Sequence, residues 1–261
     1  MEYRGTAYRG WQRQQPGVKS VQETVEKALS RVANHPVNLF CAGRTDAGVH
    51  ASCQIIHFET DAVRTPVNWV HGANANLPAD ISVAWAKVVP KDFHARFSAV
   101  ARRYRYVIYS DPVRPAHLAH EVTWNYRSLD IERMRRAAEA LVGEHDFTSY
   151  RALACQAKSP IKRVHHLKLH EFGRFIVIDI RANAFLHHMV RNIAGVLMQI
   201  GCGEKPVNWA GDVLAAACRR EGGLTAPAYG LYLVDVTYPE RFDLPVRYMG
   251  PHFLSALNTL D

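Results

Sequence analysis

The spacing of apolar residues constrains this chain most: period-two and period-3.6 stretches alternate in the same order twice. Glu2 to Tyr3 reads as a strand remnant. Ser20 with Glu23 makes a capping box. It opens a helix to about Ala33, with Val21, Val25, Ala28, Leu29 and Val32 on one face. Strands follow at 37–42 and 51–59, a short helix near 66–75 and a strand near 81–89. The second half repeats the plan. A strand spans 99–109, and a helix over 130–141 carries Ile131, Met134, Ala138 and Leu141. Strands near 163–170 and 174–182 come next, then helices at 185–200 and 207–219 and a last strand at 230–237. Each half reads β-α-β-β-α-β, the split βαβ arrangement. The expected fold is α+β: two split-βαβ (ferredoxin-like) halves, 1–95 and 96–261, joined side by side. Their strands should form a mixed, mostly antiparallel sheet with helices on one face and a central cleft. The duplication rests on element order alone.

Composition narrows the class. The chain has 261 residues, 48% hydrophobic and 21% charged, enough for a sizeable globular core. No apolar run approaches a membrane span, and MEYRGTAYRGWQRQ holds no signal-peptide apolar core. No membrane association and a cytoplasmic location are therefore expected. The odd cysteine count (Cys41, Cys53, Cys155, Cys202, Cys218), without any CxxC, reads as reduced thiols. The 14 histidines form no HExxH, and the pairs His165-His166 and His187-His188 should point apart on a strand or helix. No metal is expected. Net charge is +8. Basic residues cluster at Arg102, Arg103 and Arg105, at Arg133, Arg135 and Arg136, and at Lys158, Lys162 and Arg163. With no apolar-faced basic helix beside them, the expected polyanion is nucleic acid.

Three segments can carry chemistry. Gly43-Arg44-Thr45-Asp46-Ala47-Gly48-Val49-His50-Ala51 sets one carboxylate in a glycine-punctuated turn between two β-rich runs. Such a turn can present Asp46 at a cleft mouth, with Arg44 near enough to keep it ionised. Asp beside Gly is also ordinary turn chemistry. Over 185–200, FLHHMVRNIAGVLMQI puts Leu186, Met189, Val190, Ile193, Leu197 and Ile200 on one stripe. Arg191 is the only formal charge and points away from that stripe, among small or neutral neighbours. A covered cation needs an anionic partner. Asp46 and Asp179 are both candidates. On the strand 99–109, Arg103, Arg105, Val107 and Tyr109 face one way, and Tyr104, Tyr106 and Ile108 the other. Aromatics beside arginines suit an unpaired base and its phosphates, although tyrosine is also a common half-buried sheet residue.

GRTDAGVHA resembles the signature of the tRNA pseudouridine synthase A family, and ANAFLHHMVRNI resembles its second motif. YRGTAYRGWQRQ, SVQETVEKAL, NANLP at 74–78, HARFSA at 94–99 and GLYL at 230–233 extend the resemblance over nearly the whole chain. It implies isomerisation of uridine to pseudouridine at positions 38, 39 and 40 of the tRNA anticodon arm. Asp46 is then the nucleophile and Arg191 its partner. Tyr104 packs against the target uracil, Leu231 lines the pocket, and Arg44 contacts the RNA backbone or supports Asp46. Tyr106 becomes core. The family works as a homodimer without cofactor or metal. It usually has Asp where this chain has Arg4, and a longer first strand before that point. Two other classes compete: an RNA-binding module without chemistry, and a base-excising glycosidase. Glycosidases usually need a second carboxylate, which the Asp46 motif lacks.

Overall fold

Helix ends follow the capping chemistry closely. In the computed structural model, which describes residues 1–246 and 249–259, the Ser20 hydroxyl accepts from the Glu23 amide, and α1 runs Val21–Ala33. Only half of the expected reciprocal box is seen, because the Glu23 carboxylate pairs with Lys27 at 2.7 Å. Such a cap contributes about 1 kcal/mol. Val21, Val25, Ala28 and Leu29 are buried as the periodicity requires.

The chain forms two compact units, Met1–Val100 with the described residues from Tyr232 onward, and Ala101–Leu231. A single division at 95/96 therefore misplaces the C-terminal segment, which groups with the first unit. Both units are α+β, with sheets that are mixed and mostly antiparallel.

In the first unit β1 (Glu2–Tyr3), β2 (Leu39–Cys41), β3 (His50–Ala51), β4 (Ile56–Phe58) and β5 (Ile81–Ser82) accompany α1 and α2 (Pro66–Asn76). β1 lies between β3 and β5, antiparallel to both. β2 and β4 form a separate antiparallel pair. The expected strand 51–59 splits in two. The Ser52 and Cys53 amides both donate to the Leu233 carbonyl, and the Gln54 amide donates to Met1, so the chain leaves one ladder before joining the other. The expected strand 81–89 keeps only its first two residues.

In the second unit β6 (Ala101–Ser110), β7 (Thr123–Asn125), β8 (Gly143–Asp146), β9 (Ile161–Phe172) and β10 (Phe175–Ala182) join α3 (Ile131–Glu139), α4 (Met189–Gly201) and α5 (Trp209–Ala215). β10 pairs antiparallel with β6 and β9, β8 pairs antiparallel with β9, and β7 pairs parallel with β6. β11 (Leu231–Thr237) starts at the unit boundary, and its residues Tyr232 and Leu233 pair parallel with β3. Tyr106, Val107 and Ile108 in succession are fully buried, so β6 is covered on both faces. α3 packs on α4 and β9. Gly201 permits that approach, since a Cβ there would lie 2.7 Å from the Met134 sulfur. Among the described residues, no helix is long and apolar enough to cross a membrane.

Candidate active site

The Asp46 loop connects β2 to β3 and is fastened from behind. Gln54 is fully buried, and its side-chain amide donates to the Gly43 carbonyl at 2.6 Å while its oxygen accepts from the Gly43 amide. The Thr45 hydroxyl bonds the Tyr3 hydroxyl at 2.8 Å, and the Thr45 carbonyl accepts from the Trp11 amide at 2.9 Å. The Val49 amide closes a turn onto the Asp46 carbonyl at 3.1 Å. Gly48, at φ 80°, occupies the left-handed position that such a turn reserves for glycine. Gly43 does not use that freedom; Gln54 holds it instead. Gly5 lets the chain pass directly behind, because a Cβ there would sit 1.9 Å from the Val49 carbonyl oxygen. The result is a rigid loop with the Asp46 side chain half-buried and Arg44 exposed.

Periodicity gives no reason to select Gln54, Tyr3 or Trp11, since Gln54 and Trp11 act on loop backbone and Tyr3 on the Thr45 hydroxyl. For Tyr3 and Trp11 the available signal was the segment YRGTAYRGWQRQ, in which both now have a role as part of the loop's frame. Gln54→Ala leaves the Gly43 carbonyl without its partner. Stability should fall by about 1–3 kcal/mol, checked by urea unfolding.

The second unit carries Tyr104, Arg191 and Leu231. α4 starts at Met189, four residues later than the expected 185, because His188 sits at φ 62°. That residue also corrects the reading of the histidine pair. His187 and His188 lie in neither strand nor helix, and their rings stand 4.0 Å apart. The helix is covered on both sides as expected: Ala194, Gly195 and Val196 are as inaccessible as the apolar stripe. The backbone at Leu224 crosses it so closely that a Cβ on Gly195 would lie 1.8 Å from the Leu224 carbonyl oxygen.

Arg191 is pinned to that crossing segment. Its Nε donates to the Ala226 carbonyl at 2.9 Å, and its own carbonyl accepts from the Ala226 amide. Asn192 secures the segment from the other side, accepting from Thr225 at 2.7 Å and donating to the Tyr150 carbonyl. The same segment continues to Leu231, which is 6% exposed. On the way, Pro227 accepts from the Tyr106 hydroxyl and Gly230 accepts from the Val107 amide. Tyr104 is 8% exposed and meets Phe185 edge to face at 4.9 Å. Tyr106 is wholly inside the core, its hydroxyl bonded to Thr123.

Asp179, the alternative partner for Arg191, is taken by other groups. Arg103 grips it through two bonds of 2.6 and 2.9 Å, Arg105 through one of 2.8 Å, and His166 through one of 3.0 Å. Burial opposes the charge, but these hydrogen bonds outweigh it and hold the carboxyl well below the usual range. Two of the expected RNA-facing basic clusters are thus partly internal. Arg103 and Arg105 hold Asp179, Arg133 donates to the Ile200 and Lys205 carbonyls, and Arg135 donates to Leu169.

The family described as tRNA pseudouridine synthase matches residues 1–98 and 137–239. Asp46, Arg44, Arg191 and Leu231 fall inside those stretches, and Tyr104 falls between them. The chain is 68% identical over 257 residues to tRNA pseudouridine synthase A of Pseudomonas aeruginosa, covering 98% of this chain and 90% of that one. It is 59% identical over 255 residues to the protein of that name from Citrobacter koseri (98% and 94% covered). It is 58% identical over 254 residues to the one from Alcanivorax borkumensis (97% and 95% covered). These likenesses define an RNA-modifying isomerase. The chain belongs to the tRNA pseudouridine synthase family, and its reaction is the isomerisation of uridine in tRNA.

Proposed function

We propose that the enzyme converts uridine to pseudouridine at positions 38, 39 and 40 of the anticodon stem-loop, with Asp46 as nucleophile and without a cofactor. The observation that carries this reading is the Asp46 loop: a carboxylate on a backbone fixed by Gln54, Tyr3 and Trp11, in a chain of this family. Isomerisation breaks the C1′–N1 bond, turns the uracil and forms C1′–C5. N1 gains a proton and C5 loses one, so no outside reagent is consumed. The target must leave the stack, because C1′ and C5 are unreachable within it. Asp46 attacks C1′ or C6, or promotes a glycal route. In this reading Arg191 supports Asp46 during the reaction. Tyr104 stacks on the uracil and can move the C5 proton, and Leu231 lines the base pocket. Arg44 contacts the RNA backbone or supports the acid. The enzyme acts in the cytoplasm, as a homodimer with tRNA across both subunits.

Chemical mapping of pseudouridine in unmodified tRNA tests the positions. Product confined to 38–40 is expected. Product elsewhere with 38–40 untouched removes the anticodon-arm assignment.

A further inference from the structure

Outside the Asp46 loop, the first unit carries an exposed aromatic surface that this chemistry leaves unused. Phe40 on β2 and His57 opposite it on β4 stack at 5.2 Å with 18° between their planes. His94 lies 4.6 Å from His57 and 5.3 Å from Phe40, and Phe97 continues the row 4.3 Å from His94. Phe40 is 55% exposed and Phe97 74%. One exposed phenylalanine needs no explanation; a contiguous row on a locked loop does.

The loop is locked by its own polar groups. The Arg96 and Phe97 amides both donate to His94 Nδ1, at 3.1 and 3.2 Å, and the Ala95 amide donates to His57 Nδ1 at 3.1 Å. His94 and Ser98 exchange two further bonds, each of 2.9 Å. Both imidazoles therefore act as acceptors at Nδ1. Phe93 is buried beneath, against Tyr238 and Phe242. These bonds fix the loop backbone and both imidazoles, and Phe40 and Phe97 stand exposed beside them.

Charge selects the occupant. The Arg96 guanidinium lies over the Phe97 ring, 5.4 Å from its centroid. The positive charges of Arg44 and Arg96 both act on the Cys41 thiol beside Phe40. One acid, Glu59, acts on His57. Aromatic faces flanked by guanidinium groups are what an unpaired base and its phosphate require.

We propose that Phe40, His94, Phe97 and Arg96 form a stacking platform for an unpaired tRNA nucleotide other than the one isomerised. The proposal rests on tRNA being the substrate and deepens that reading.

The test uses the full-length enzyme and an unmodified anticodon-arm hairpin. Kd, KM, kcat and oligomeric state are read for Phe97→Ala, Phe97→Trp and the Phe40→Ala/Phe97→Ala double variant. Stacking on one aromatic ring predicts a rise in Kd and KM of about 5- to 150-fold for Phe97→Ala. Saturating kcat should stay within about twofold, and Phe97→Trp should bind like wild type. No charge is removed, so the salt dependence of binding should keep its slope. A double variant that binds the hairpin as tightly as wild type overturns the proposal. So does unchanged binding with altered self-association, which assigns the patch to a second copy of the chain. If wild type forms no pseudouridine but Phe97→Ala still weakens binding, the assigned reaction falls and the platform stands. If wild type forms pseudouridine and the double variant binds normally, the platform alone falls.

Discussion

Asp46→Ala should abolish pseudouridine formation while leaving tRNA binding within a few-fold of wild type. The loop's backbone bonds run through Thr45, Gly43 and Val49, so truncating this half-buried side chain leaves its frame intact. Loss of a catalytic nucleophile costs turnover on the order of 10⁴-fold or more. In the proposed reading the grip on RNA comes from basic and aromatic groups elsewhere, which the substitution does not touch. If Arg191 and Asp46 act as a unit, removing both costs little more than removing Asp46 alone, as groups sharing one role are strongly non-additive. Turnover and hairpin affinity measured together check this. Loss of affinity equal to the loss of turnover would make Asp46 a binding residue.

Asp179→Ala should be the most destabilising single change in the second unit. It removes the carboxylate that Arg105, which is 1% exposed, and Arg103 both bind. Removing one partner of a buried ion pair costs about 3–5 kcal/mol, because the remaining charge stays desolvated. The pH dependence has a definite sign. Asp179 is held below its ordinary value when folded, so its contribution is complete above the unfolded value of about 3.9. It shrinks as pH falls from there toward the folded value. The gap in unfolding free energy between wild type and variant should be full at neutral pH and narrower near pH 3. Urea unfolding at both pH values measures it. An equal gap at the two would mean that Asp179 stabilises by packing.

How much was legible depends on whether a residue acts through its side chain's periodicity or through tertiary bonds. Ser20 and Asp130 cap their helices as local rules require. The stripe of α4 and its covered back were readable from Arg191 being its lone charge. The start of α4 was not, because nothing in FLHHM marks His188 as left-handed. β8, Gly-Glu-His-Asp, has no apolar alternation and exists by pairing with β9. Alternation placed Arg103 and Arg105 on one face of β6, but not that Asp179 waits there. The Asp46 turn was visible because its motif is local. Gln54, which holds that motif from a neighbouring turn, needed the fold.

The central claim is isomerisation at Asp46 rather than binding or base excision. Forming C1′–C5 expels the C5 hydrogen, whereas hydrolysis keeps it on free uracil. The deciding measurement is tritium release from unmodified tRNA labelled at uridine C5. The expected result is tritium in water, no free uracil, and neither from Asp46→Ala. Labelled uracil in solution, or equal tritium release by the variant, would contradict the account.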